Sequence, residues 1–426
     1  MRRDPLGLLL HMARKYGDVS YVRTGDRHIY LLNHPDYIQA LLVTDASSFI
    51  KSIAVQKMKV FLGEGLLTSE GATHERQRHL IQPAFHSDEI ARMAVRMVHH
   101  AALVRESWVE GQTLDVAAAM GRLTMRIVAD TLFGADVEAE VQELSMALTT
   151  LLKGFRLMLA PFGELILKAP LPSPRRFRQA GERLDKAIRQ IVAHRRERPT
   201  EKRDLLSRLL ESLDTQDPEA QMSERQLRDE VMTLFVAGHE TTANALAWTW
   251  YLLAEHPAVE ARFHAELDAV LGKRLPGFES IAELKYTQQV LLESMRLYPP
   301  AWVIGRQALR DYPVGGYVIP AGAIVFASQW AMHHDPRYYP EPFRFDPDRW
   351  RPEARASRPR FAYFPFGAGP RVCIGEKFAW TESVLLLATI AQRWRMTLVP
   401  GERVVPQPLV TLRPKGGIRM IVDRRA

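Results

Sequence analysis

The stretch Phe366-Gly-Ala-Gly-Pro-Arg371-Val-Cys373-Ile-Gly375 holds the only cysteine of the 426-residue chain. Gly367 and Gly369 open backbone conformations closed to other residues, and Pro370 stiffens the turn before the thiol. The apolar pattern that follows predicts a helix over 374–390, so Cys373 stands at a helix N-terminus. There the positive end of the helix dipole and free N–H groups stabilise a thiolate, and Arg371 adds positive charge. A sulfur so placed is a nucleophile, a metal ligand or an inert buried thiol. A nucleophile would want a histidine base, and the fold could bring up any of fourteen histidines.

Two other segments bear on that choice. The longest periodic segment runs from Ser223 to His256, opened by a capping box at Ser223 and Gln226 and stopped by Pro257. It is about 50 Å long, and its middle, Val231 to Ala237, is apolar nearly all round, which predicts burial. Inside it stands Ala237-Gly238-His239-Glu240-Thr241-Thr242. Gly238 forfeits about 1 kcal/mol of helix propensity against Ala. Threonines that bond one turn back open a helix locally, so the segment reads as a kink, serving either packing or chemistry. A zinc-protease reading of His239-Glu240 fails, because position 243, where a second histidine is needed, is Ala. In the second segment, Glu293 and Arg296 share a helix face among Val290, Leu291, Leu292 and Leu297, which predicts a buried pair that locks geometry.

The rest of the chain sets bounds. At 46% apolar it can bury a large core, and one cysteine excludes both a disulfide framework and a zinc site of several thiolates, as suits a reducing cytoplasm. After Met1-Arg2-Arg3 the apolar run Leu6 to Leu10 is broken by Gly7 and stopped at His11, too short for export. No stretch approaches the roughly 20 apolar residues of a membrane span, since Leu151 to Leu159 carries Lys153 and Arg156. Net charge is +8, but the basic residues are spread and mixed with acids, unlike a nucleic-acid stripe. A basic face that docks an acidic protein is the better use, and a cluster such as Arg195-Arg196-Glu197-Arg198 reads as solvated surface.

A hairpin is expected from 18–23 and 28–33, helices over 90–108, 123–132 and 184–194, and strands at 317–319 and 323–327. Residues 170–176 and 199–203 read as surface connections, and 335–352 as a Pro-rich loop.

Taken together, the cysteine stretch resembles the heme-binding loop of the cytochrome P-450 family, and Glu293-Ser-Met-Arg296 resembles its Glu-x-x-Arg helix. The segment 237–242 is similar to the family's oxygen-activation kink. Pro340-Glu-Pro-Phe343 through Pro347-Asp-Arg349-Trp350 is similar to the loop whose arginine joins the Glu–Arg pair. The resemblance covers essentially the whole chain, in order.

It implies one catalytic domain over 1–426 with the cytochrome P-450 fold, mainly α with a small β-rich lobe. The lobe would come from 18–50, 300–330 and C-terminal strands, and the helical body from about 74–300 and 373–392. It implies heme b, with Cys373 as the thiolate on iron, Phe366 shielding that sulfur, and Ala237 and Gly375 against the heme. Arg371, Arg306, Arg78 and His74 would reach its propionates, although many relatives carry Trp where this chain has His74. Thr241 and Glu240 would deliver protons, while Glu293, Arg296 and Arg349 would be structural.

Leu234, Trp302, Val303, Ile304, Leu409 and Val410, with the stretch Ile53 to Leu62, would line an apolar substrate pocket. A fatty acid, terpenoid or carotenoid would suit it, and Tyr-Pro-Pro-Ala-Trp at 298–302 with 411–417 resembles bacterial carotenoid hydroxylases. The activity implied is a monooxygenase using O2 and electrons from a separate ferredoxin or flavodoxin and its reductase. Rival readings are a peroxide-driven peroxygenase, a heme-thiolate gas sensor, and a cysteine hydrolase on an α/β fold. Relatives usually carry a Pro-rich lead-in before the segment resembling Asp4-Pro5-Leu6, so a late start is expected.

Overall fold

The 32-residue helix Glu224–Glu255, the central helix, sets the architecture. Its first turn is closed by the expected capping box: the Gln226 N–H donates to Ser223 Oγ at 3.2 Å, and the Ser223 N–H donates to Gln226 Oε1 at 3.0 Å. His256 caps its end, directly before Pro257. The computed structural model describes residues 4–159, 162–169, 171–198, 204–215 and 221–425. The expected surface connection 199–203 lies outside the described residues, as do Met1-Arg2-Arg3 and Pro170.

The helix Val116–Phe133 packs along the central helix, and their close approach explains Gly238. A Cβ there would come within 3.1 Å of Val128 Cγ2. Across the same contact Thr124 Oγ1 donates to the carbonyl of His239 at 3.0 Å. The helix is continuous through this segment, and the expected back-bond is present, with Thr241 Oγ1 donating to the Ala237 carbonyl at 3.1 Å.

A second helix, Lys285–Leu297, carries the ion pair. Glu293 and Arg296 are both fully buried and pair through two bonds of 2.8 Å. Arg296 also donates to the carbonyls of His333, Pro342 and Arg344. Glu293 further accepts from the Trp350 indole at 2.9 Å and the Asp346 N–H at 3.1 Å, and Arg349 comes within 3.3 Å of it. The helix is joined to the central one by Trp248 and Tyr298, stacked with centroids 4.1 Å apart.

The β-rich lobe is a five-stranded sheet in the order Val19–Thr24, Arg27–Leu32, Ile324–Ala327, Ile304–Ala308, Phe49–Lys51. The hairpin is antiparallel and Arg27–Leu32 runs parallel to Ile324–Ala327. The C-terminal strands form sheets separate from this one. Arg419–Arg424 lies between Trp394–Leu398 and the short strand Thr113–Asp115, which sits inside what reads from sequence as helical body. Three residues are too few for a period to show.

Two surface expectations need correction. Residues 172–176 open the 26-residue helix Pro172–Glu197: prolines belong in a first turn, where the missing N–H has no partner to lose. Arg195 is not solvated. It follows Ile191 and Val192 on the buried face, 8% exposed, and donates to Asp204 at 2.7 Å and to the Phe133 carbonyl at 2.9 Å.

The Glu293 carboxylate is the charge that balances Arg296 in the core. Glu293→Gln should therefore cost about 3–5 kcal/mol in chemical denaturation. A loss below about 1 kcal/mol would mean the three carbonyls alone hold Arg296.

Candidate active site

The cysteine loop is fixed by its own backbone. The Gly367 N–H bonds the Phe364 carbonyl, the Val372 N–H that of Gly369, and the Cys373 N–H that of Phe366, each at 3.0 Å. Gly367 and Gly369 both have φ of +71°, and a Cβ on Gly369 would lie 2.0 Å from the carbonyl oxygen of Leu42. The following helix, Glu376–Ala391, is capped by Gly375 and packs on both the central helix and Ser87–Ser107. Burial pushes the Cys373 thiol up to about 11, the Gly375 N–H on the sulfur pulls down, Glu376 pushes up, and Arg78 pulls down. Arg371 does not supply the expected charge at the sulfur. Its guanidinium is turned to Glu70 at 2.8 Å and to the carbonyls of Ala46 and Phe49. Arg78 comes closer, bonded to the Val372 carbonyl at 2.8 Å.

The central helix is buried from Val231 to Val236 and again from Thr242 to Trp250. Between them Ala237 is exposed, and Gly238, Glu240 and Thr241 are half-buried. Exposure midway along a buried helix requires an internal space beside it. Leu234, Ala237 and Thr241 recur at intervals of three and four, so one face borders that space. Cys373 is exposed as well, although set deep among protein atoms.

Beside the loop lies a buried cluster of basic side chains. Lys51 Nζ donates to the carbonyls of Leu66 at 2.9 Å and Ser69 at 2.6 Å. Burial pushes Lys51 down to about 7 against the pull of Glu70, with Arg371 and Arg306 pushing further down. Burial, then Lys51, Arg371 and Arg78, hold His74 down to about 4. Arg306 is held down to about 10 by burial and Arg371, and its buried Nε has no partner. Nearby Glu230 accepts from the Leu66 N–H at 2.9 Å but is pushed up to about 8, chiefly by burial, so it offers little negative charge at neutral pH.

A family model described as "Cytochrome P450" matches residues 2–421. The chain belongs to the cytochrome P450 family.

It is 40% identical to cyclooctatin synthase of Streptomyces melanosporofaciens over all of this chain and 92% of that one. Over 94% of this chain and 86% of the relative it is 39% identical to cyclooctat-9-en-7-ol 5-monooxygenase of the same organism. It is 31% identical to pentalenene oxygenase of Streptomyces avermitilis, over all of this chain and 94% of that one. The crystal structure of the cytochrome P450DA heme domain superimposes with a TM-score of 0.87 at 27% identity, covering 99% of this chain and 93% of that one. The protein is accordingly a P450 monooxygenase, which uses heme, O2, a redox partner and a hydrophobic substrate. Among the described residues no helix is long and apolar enough to cross a membrane.

The residues present fit a heme. An anionic group would suit the crowded basic side chains and the unpartnered Arg306 Nε, and a soft thiol beside an internal space has the chemistry to hold a heme iron. The expected pocket residues are more dispersed. Leu234 lies on the face described above, and Val303, Ile304, Leu409 and Val410 are half-buried. In the Ile53–Leu62 stretch Phe61 and Leu62 are buried in the core. The Trp302 ring packs near Leu6, Leu9 and Met12, and its N–H donates to the Leu409 carbonyl at 3.0 Å, so it props the turn.

On the outer side of the loop opens a cleft of about 1370 Å³. Its wall includes Arg355, Arg358, Arg360 and Lys377 against one acid, Glu376.

Two residues of the site escaped sequence reasoning. Lys51 had a signal, because strand alternation puts it on the same inward side as Phe49. Thr411, which donates to Glu240 at 2.7 Å, had none, since 171 residues separate them.

Gly369 and Gly416 separate backbone strain from close approach, because Gly416 has φ of +84° with nothing within 4 Å. Gly416→Ala should cost only about 1–2 kcal/mol of left-handed strain. Gly369→Ala should cost more in denaturation and also lower the heme content of the purified protein. Equal losses would mean the loop is free to move away from Leu42.

Proposed function

We propose that this P450 hydroxylates or epoxidises a cyclic terpenoid, with a heme b ligated by Cys373. The observation that carries the substrate class is the full-length similarity to relatives named for cyclooctat-9-en-7-ol and pentalenene, both terpenoid oxygenases, together with apolar side chains at the expected pocket. The whole chain acts as one catalytic unit, in the cytoplasm.

When bound, heme with a thiolate ligand supplies reductive activation of dioxygen and delivery of one oxygen atom to carbon. The chain's own residues do the rest. Cys373 would hold the iron as a thiolate, Phe366 would cover the sulfur, and the Gly375 N–H would moderate its basicity. Lys51, Arg78, Arg306 and Arg371 would hold the propionates, which would relieve their mutual repulsion, and the uncharged His74 would donate an N–H to them. Ala237, with its small side chain exposed to the internal space, would leave room for the cofactor, while Leu234, Val303, Ile304 and Leu409 would exclude water and orient the substrate. Thr241 and Glu240 hold and move protons, and this acid–alcohol pair argues against the peroxide-driven and gas-sensing readings. The basic cleft docks an acidic ferredoxin or flavodoxin that delivers electrons close to Cys373.

The reduced protein with carbon monoxide should show the red-shifted band of a thiolate-ligated heme, and Cys373→Ser should abolish it. A retained band would overturn the ligand assignment. Substrate class is read from the ferric spin-state shift with cyclic terpenoids, carotenoids and fatty acids, where tighter binding of a fatty acid or carotenoid would overturn the terpenoid reading. Charge reversal at the exposed Arg355, Arg360 and Lys377 should slow reduction at low salt about tenfold or more, and the difference should shrink as salt rises. Unchanged rates would move the docking face elsewhere.

A further inference from the structure

We propose that Thr411 is the positioning residue for Glu240 and links that acid to the turn bordering the substrate. The strands Pro406–Pro408 and Leu412–Pro414 pair as a hairpin, closed by Leu409-Val410-Thr411. Thr411 is 7% exposed, and its Oγ1 donates to Glu240 Oε1 at 2.7 Å. Asn244, one turn along the central helix from Glu240, donates to the same hydroxyl at 3.2 Å. A hydroxyl has a single proton, so accepting from Asn244 leaves that proton for the carboxylate. Arg413 lies 3.8 Å from the same Glu240 oxygen, and its buried Nη1 makes no hydrogen bond. The C-terminal hairpin therefore holds Glu240 from outside its own helix. Thr241 meanwhile donates to the Ala237 carbonyl, so both members of the acid–alcohol pair are engaged elsewhere.

The hairpin is anchored on either side of Val410 and Thr411. Trp302 donates to the Leu409 carbonyl and Trp248 to that of Leu412, each at 3.0 Å, and the Leu412 N–H bonds the Pro300 carbonyl at 2.9 Å. Leu409 and Val410 sit half-buried on the same three-residue loop as Thr411. A substrate pressing on them shifts Thr411 and frees the Glu240 carboxylate. With the pocket empty the acid is tied back, and proton supply waits for substrate. This rests on Glu240 acting as the acid in the proposed reaction.

The test uses the holoenzyme with its electron-transfer partners and three variants, Thr411→Val, Thr411→Ser and Glu240→Gln. Thr411→Val keeps the shape and loses the hydroxyl. It should raise substrate-free electron consumption about tenfold, the shift expected from losing one hydrogen bond to a charged group. The extra electrons leave as hydrogen peroxide, two electrons and two protons per O2, and product formed per electron pair falls. Thr411→Ser, which keeps the hydroxyl and loses the methyl, should restore both values. Independently of turnover, the infrared carboxylate band of Glu240 in the resting enzyme, assigned by its loss in Glu240→Gln, should move in Thr411→Val and stay in Thr411→Ser. An unmoved band, wild-type coupling in Thr411→Val, or a Ser variant worse than the Val variant would overturn the assignment. If Glu240→Gln leaves coupling unchanged, the acid reading itself falls; if only Thr411→Val is silent, the acid reading stands and the link fails.

Discussion

The charge that most constrains this molecule is the guanidinium of Arg296, removed entirely from water. A buried cation needs a counter-charge and a full set of acceptors, and few arrangements of chain supply both. Here they come from Glu293 on the same helix and from three carbonyls of residues 333–344, far along the sequence. The segment from His333 to Trp350 is thereby fixed against the helix Lys285–Leu297. The chain leading to the cysteine inherits that position: the Phe364 N–H donates to His333 Nε2, and Tyr363 bonds the Leu292 carbonyl. The pair contributes little net stability, but it specifies where the cysteine loop lands.

The features legible in the sequence are those whose cause is local. The capping box, the helix stop at Pro257, the acid–base spacing of three and the glycine-bounded cysteine each follow from neighbours in the chain. The architecture followed from these through family resemblance, because several ordered motifs leave little freedom.

What was not legible depends on distant partners. Arg195 reads as one of a basic cluster until Asp204 and the Phe133 carbonyl are seen to enclose it. The strand Thr113–Asp115 exists because Arg419–Arg424 lies beside it. Arg371 looked like a neighbour of the sulfur by sequence distance, yet Glu70 and two carbonyls near residue 47 draw it away. In each case the role was set by a partner from 9 to 325 residues off, which no pattern of adjacent letters carries.

The crowding of Lys51, Arg78, Arg306 and Arg371 has a consequence for the life of the protein in the cell. Like charges confined together store repulsion that an anionic cofactor relieves, so cofactor binding and folding share one free-energy balance. The amount of folded protein then tracks the supply of that cofactor by mass action. A cell short of iron or porphyrin would lose this catalyst first to chaperones and proteases, before any question of turnover arises.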